Sequence, residues 1–300
     1  MPLEIGTDLN HTSEIKLILN INLNYLFEGI YMKIFIHILF GVVLVAVLAN
    51  GSICAQEASI NYNPLSEISE GLSAPMRIAV DQEGTAYITD AFNKSISRYS
   101  ASGTFEGFIE AVALPISVAV NSDGELYIGD AATGHIFKYN ETQGATLFYS
   151  GSEYPTSMEF SPDNVLYVSD SKLQQVEVID VSGKLIQTIG SGTLDFPTGI
   201  ALDHNNKRIL VGEHGGKGTG FSPVVKVWMF DFQGNLITSF GRHGNTDGRF
   251  YRVQGLAVGK CGDIYVVDPY LARISVFDEN GIFKTTFGEW GAQPEHLKVP

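Results

Sequence analysis

Residues 256–278, LAVGKCGDIYVVDPYLARISVFD, hold the pattern that decides the fold. Three short apolar runs, at 256–258, 264–267 and 274–277, are separated by segments of turn-forming residues, and the middle run ends on Asp268. Working outward, the same pattern recurs about every forty residues. Pro75, Pro115, Pro155 and Pro197 open four copies and Val253 the fifth. An acid ends each second run: Asp90, Asp130, Asp170, Glu213 and Asp268. A turn glycine (Gly103, Gly144, Gly183, Gly234, Gly281) leads into each fourth run. Within the third run Ile274 and Val276 alternate with Ser275 and Phe277, so both faces of such a sheet carry apolar side chains. A lone four-stranded unit cannot bury two apolar faces, and neighbouring units must stack. The expectation is an all-β chain, a β-propeller of four-stranded blades at about 75–110, 115–150, 155–190, 197–241 and 253–288.

Four stretches carry a resemblance: Pro197-Thr-Gly-Ile-Ala-Leu-Asp203, Tyr265-Val-Val-Asp268, Arg273-Ile-Ser-Val-Phe-Asp278 and Phe287-Gly288. They resemble the NHL-repeat family, over residues 65–300. The resemblance implies a six-bladed ring that serves mostly as a binding platform. It also brings in lyase and lactonase-type relatives that use zinc or calcium. Units 1 to 3 depart from the pattern, with Arg77, Ser117 and Ser157 where units 4 and 5 have Gly199 and Gly255. That substitution leaves open how closely the inner strands approach. A sixth unit begins at 294–300 and stops before its first strand. The reading is therefore five complete blades and a truncated sixth, residues 65–70 supplying its last strand and a gap separating units 5 and 1. A closed five-bladed ring is the competing arrangement.

Outside the repeats, residues 1–31 read as an extension upstream of the start used in the cell. Residues 32–58 read as a signal peptide or N-terminal membrane anchor: Met32-Lys33, an apolar run over 34–49, then small residues including Gly51, Ser52 and Ala55. The propeller would occupy 59–300 and face the extracellular space, periplasm or cell surface, with possible membrane anchoring through 34–49. A formal charge of −14 argues against nucleic acid as a partner. Two cysteines, Cys54 and Cys261, make no disulfide framework.

The ring of acids could hold calcium at one rim, but an acid at one fixed place per unit reads as structural, each accepting backbone N–H groups of the following turn. The histidines of the repeat region, His135, His204, His214, His243 and His296, do not recur at neighbouring inner-strand positions as a channel zinc site requires. No cofactor is expected; calcium or zinc enters only with an enzymatic alternative. The glycine-rich insertion at 213–224 lacks the order of a phosphate loop. Loops joining strand four to the next strand one, and strand two to strand three, should emerge on one face. That face would gather Phe92, Tyr154, His214, Lys217, Arg242, His243, Arg249, Tyr251, Arg252, Tyr270 and Trp290. Aromatic and arginine side chains of this kind dominate binding hot spots. Trp228 takes a slot held by small or polar residues elsewhere and is expected to pack under the insertion. The resulting expectation is an exported scaffold for a protein, peptide or glycan, with a metal-dependent lyase or lactonase-type hydrolase as the alternative.

Overall fold

The computed structural model describes residues 70–216, 224–259 and 261–288, together with the backbone of four strands before them. The five repeats become five antiparallel sheets of four strands in sequential order. Unit 1 is Pro75–Val80, Ala86–Asp90, Ser95–Tyr99 and Phe105–Ile109. Unit 2 is Pro115–Val120, Leu126–Asp130, Ile136–Asn140 and Gly144–Tyr149. Unit 3 is Pro155–Phe160, Leu166–Asp170, Gln175–Ile179 and Leu185–Ile189. Unit 4 is Pro197–Asp203, Arg208–Gly216, Val224–Asp231 and Leu236–Phe240. Unit 5 is Gly255–Val258, Ile264–Asp268, Arg273–Phe277 and Phe283–Phe287.

The first strands of successive units lie side by side around a common axis, and the fourth strands form the outer edge. The core sits between sheets rather than within them, as two-faced strands demand. One cluster combines Tyr167, Val176 and Ile189 of unit 3 with Ile200, Ile209, Val211 and Phe230 of unit 4. The next combines Leu210, Val227 and Met229 of unit 4 with Ile264, Val266 and Phe277 of unit 5. Removing these side chains from water is the main driving force for the stacking.

Polar ties reinforce the innermost ring. Ser117 Oγ donates to the Pro155 carbonyl at 2.6 Å, Thr156 Oγ1 to Pro197 at 3.1 Å, and Thr198 Oγ1 to Val253 at 2.6 Å. Each hydroxyl reaches from one first strand to the next. Of the residues that depart from the glycine pattern, Ser117 binds the neighbouring strand, while in units 3 and 4 the threonine one position earlier makes the tie. Gly199 does approach closely, since a Cβ there would lie 3.3 Å from the Gln254 carbonyl oxygen.

The backbone strands Leu17–Asn22, Tyr31–Leu39, Val42–Ala49 and Tyr62–Pro64 form one more antiparallel sheet. Its strand Val42–Ala49 lies beside both Pro75–Val80 and Gly255–Val258, where the sequence reading placed a gap. Most of the apolar run 34–49 thus falls in strands of this sheet. Residues 65–69 and 289–300, on which the truncated sixth blade was argued, lie outside the described residues.

Candidate functional site

The ring of acids explains how the loop face is built. Asp90 Oδ2 accepts N–H bonds from Ser73 and Ala74 at 2.5 and 2.9 Å, while Oδ1 accepts from Asn93 at 2.9 Å. The pattern repeats in unit 3, where Asp170 takes the N–H groups of Glu153, Tyr154, Lys172 and Leu173. It repeats again in unit 5, where Asp268 takes those of Tyr251, Arg252, Tyr270 and Leu271. One carboxylate therefore fastens the loop arriving from the preceding unit to the loop leaving its own second strand. These buried carboxylates have their oxygens occupied by backbone donors, which is the structural role expected of them. Burial pushes the Asp268 carboxyl up, and its four N–H bonds pull the other way.

Unit 4 varies the theme. Glu213 Oε1 holds the N–H groups of Asp195 and Phe196 at 2.5 and 3.1 Å, and Oε2 accepts the Trp228 indole N–H at 2.5 Å. The indole packs against the core between units 3 and 4, and the Lys226 ammonium stands 4.5 Å from its ring centre. Trp228 packs, as expected, though the insertion residues 217–223 lie outside the described residues.

The long connection from unit 4 to unit 5 is held as a built loop. Arg273 donates to the carbonyls of Asn245, Thr246 and Arg249, and Phe250 is fully buried beneath it. The loop presents two pairs of side chains. His243 meets Tyr251 edge to face at 4.8 Å, and the Arg252 guanidinium lies 5.7 Å from the Tyr270 ring centre. His214, one residue past Glu213, meets Phe196 at 6.0 Å. Phe92, Tyr251 and Tyr270 are exposed at 78, 41 and 57 %. The structure thus brings Tyr154, His214, Arg242, His243, Tyr251, Arg252 and Tyr270 to one face through their acid-anchored loops. Phe92 stands on the same face in unit 1. Lys217 and Trp290, also expected there, lie outside the described residues.

At the axis this face meets a residue that the sequence reading treated only as a departure from the repeat. Arg77, on the first strand of unit 1, donates through Nη2 to the Thr198 carbonyl of unit 4 at 2.8 Å and through Nη1 to its neighbour Met76 at 2.9 Å. Units 1 and 4 are not neighbours, so the side chain spans the axis. Burial, then the charge of Arg252, pushes the Arg77 guanidinium down to about 10. Burial, then the same Arg252 charge, pushes His214 down to about 4. Arg252 therefore acts on both groups: the two arginines make this end of the axis cationic, and His214 stands beside them as a neutral imidazole. The signal in the sequence was an arginine at a position where every other unit has glycine or serine.

The opposite end of the axis differs. Turns between first and second strands of units 1 to 4 border an open depression of about 300 Å³, lined by Asp81, Asn121, Phe160, Ser161 and His204 among others. Glu159, on the first strand of unit 3, accepts the Leu202 N–H at 3.3 Å, and burial pushes its carboxyl up to about 8.

Comparison with solved structures decides the fold. The protein resembles a chain of a nidogen/laminin complex, with a TM-score of 0.62 at 13% identity, covering 91% of this chain and 93% of that one. The chain is a β-propeller. The propeller also resembles XC5397, a gluconolactonase of Xanthomonas campestris, with a TM-score of 0.58 at 17% identity, covering 76% of each chain. A third similar structure is virginiamycin B lyase of Staphylococcus aureus, with a TM-score of 0.57 at 12% identity, covering 95% of the propeller chain and 88% of the lyase. No protein-family pattern matches. Over 61 residues the propeller is 41% identical to Protein brain tumor of Drosophila melanogaster, a stretch that is 20% of this chain and 6% of that protein. The chain thus matches only a small fraction of that relative's length.

Proposed function

We propose that this chain is an exported binding scaffold built of NHL repeats in a six-bladed ring, which holds a protein, peptide or glycan on its loop face. The observation that carries the reading is the built rim, where exposed Phe92, Tyr251 and Tyr270 share one face with the arginines Arg77 and Arg252. Rigid aromatic side chains beside arginine are the composition of interface hot spots. A similar fold occurs in the nidogen/laminin complex, a protein–protein assembly. Export rests on the basic start and apolar run of residues 32–49. The repeat assignment rests on the motifs of units 4 and 5, and the six-bladed ring on the resemblance those motifs carry.

The test is capture of surface proteins and glycans of the native host by the wild type, by Tyr251→Ala/Tyr270→Ala, and by an outer-strand control, Leu236→Ser/Ile237→Ser. The scaffold reading expects a defined bound set that the rim variant loses and the control keeps. Identical sets from all three would overturn it. The alternative, a metal-dependent lyase or lactonase-type hydrolase, draws support from two of the similar structures. Among the described residues no group of three or more His, Cys, Asp or Glu is gathered as ligands. Metal analysis of the purified chain separates the two readings, because one tightly held zinc or calcium per chain favours the enzyme.

A further inference from the structure

Three enclosed nitrogens at the axial mouth have no hydrogen-bond partner: Arg77 Nε, Arg252 Nε and His214 Nδ1. A buried donor left unmade is costly, and such groups in a folded protein ask for an explanation. None of the ion pairs among the described residues involves Arg77 or Arg252. The charges acting on Arg77 are those of Arg252 and the Tyr154 phenol, with no carboxylate among them. The acids that end the second strands on this face, Asp90, Asp170, Glu213 and Asp268 among them, are committed to backbone N–H groups. Arg77 bonds the Thr198 carbonyl, Thr198 Oγ1 bonds the Val253 carbonyl, and Arg252 directly precedes Val253, so the two arginines stand at the same end of the axis, with no ion pair to either among the described residues, in a chain whose formal charge is −14. Coulomb repulsion between them is a standing cost that an acidic chain could have removed with one carboxylate.

From this juxtaposition we infer that the axial mouth is an oxyanion site, in which Arg77 and Arg252 together grip a carboxylate or phosphate group of the ligand. The inference rests on the scaffold reading and names the chemistry its central contact recognises. Planar guanidinium groups match such anions in geometry, and charge-assisted bonds in an enclosed setting are the strong ones. Arg77 is already fixed by its two carbonyl acceptors, so its Nε–H is pre-aimed and little rotamer entropy is lost on binding. Arg252 is steadied by the Tyr270 ring. Around this charged centre the exposed aromatic rim would hold the remainder of the ligand.

The experiment titrates the full chain with inorganic phosphate and, separately, with succinate, at constant ionic strength set by sodium chloride. The readouts are the Nε–H resonances of Arg77 and Arg252 and the melting temperature. Saturable shifts of both resonances are expected. The Arg252 side chain makes no hydrogen bond among the described residues, and Arg252→Met should weaken the response about tenfold or more. Arg77→Lys should keep the charge but lose part of the affinity, and covers the case in which Arg77→Met fails to fold. Arg98→Met, on the outer part of unit 1, should bind like the wild type. Tighter binding of phosphate than succinate, or the reverse, identifies which oxyanion the site prefers. No saturable shift with either anion, or one unchanged in Arg252→Met, overturns the inference. Rim-dependent capture could still hold in that case, so the scaffold reading would survive; anion binding without rim-dependent capture would fail the scaffold reading and keep the site.

Discussion

Glu213 stands where the other four units carry aspartate, and its extra methylene has a visible use. One carboxylate oxygen keeps the two loop N–H groups, while the other reaches the Trp228 indole. Glu213→Asp should keep the loop and strand the indole N–H, costing about 1–2 kcal/mol in denaturant unfolding. Asp170→Ala removes four backbone partners at a fully buried site and should cost roughly 3 kcal/mol by the same measurement. A loss below about 0.5 kcal/mol would remove the acid from its structural role. Glu159 gives a pH signature. Its folded carboxyl titrates near 8, above the ordinary 4.5, so the folded state binds the extra proton and stability is lost as pH rises from about 4.5 through 8. Glu159→Gln should flatten the melting temperature across that window and raise it at the alkaline end. An unchanged pH profile would show that Glu159 titrates normally. The structural role of the acids was legible in the sequence because one residue type recurs at one place in every unit. Arg77 was not legible, because nothing local to residue 77 records the distance to Thr198, 121 positions later.

At the level of the element, the turn between second and third strands shows what a repeat hides. The residue four places after each acid has positive φ in four units: Lys94 at 54°, Gly134 at 76°, Gln174 at 59° and Ala272 at 48°. The acid holds that turn by accepting N–H bonds two or three residues on, which obliges the chain into the left-handed region. Only unit 2 uses glycine, so the conformation leaves no residue signature to read. Lys94→Gly should stabilise the chain by about 0.5 kcal/mol, the relief of left-handed strain exceeding the entropy cost of glycine. Lys94→Val should destabilise it, and thermal melts of the pair check the order. If Lys94→Gly proved less stable than Lys94→Val, the turn would not be governed by backbone strain. Strand limits were legible in units 1 to 3, where proline, acid and turn glycine bracket the runs, but in unit 4 the second strand continues past Glu213 to Gly216 and the third begins at Val224, lengthened by the insertion.

On the scale of the whole molecule, five blades were readable because each one repeats, and the closing sheet was not, because residues 17–64 share none of the repeat's marks. The apolar run 34–49 has two incompatible fates: removed as a signal peptide, or kept as strands beside units 1 and 5. Cleavage as a signal peptide predicts that the mature protein starts after residue 49, whereas an uncleaved anchor keeps the run, and mass analysis of the native product reads the difference directly. A product that retains 34–49 and resists proteolysis there would instead make the run part of the folded ring. Arg77 has a wider consequence. Its side chain is a crossbar between opposite units, so passage along the axis would require breaking its bond to Thr198. A ligand seated by Arg77 and Arg252, as inferred above, would approach from the loop face. The depression at the far end, lined in part by Asp81 and His204, lies on the other side of that crossbar.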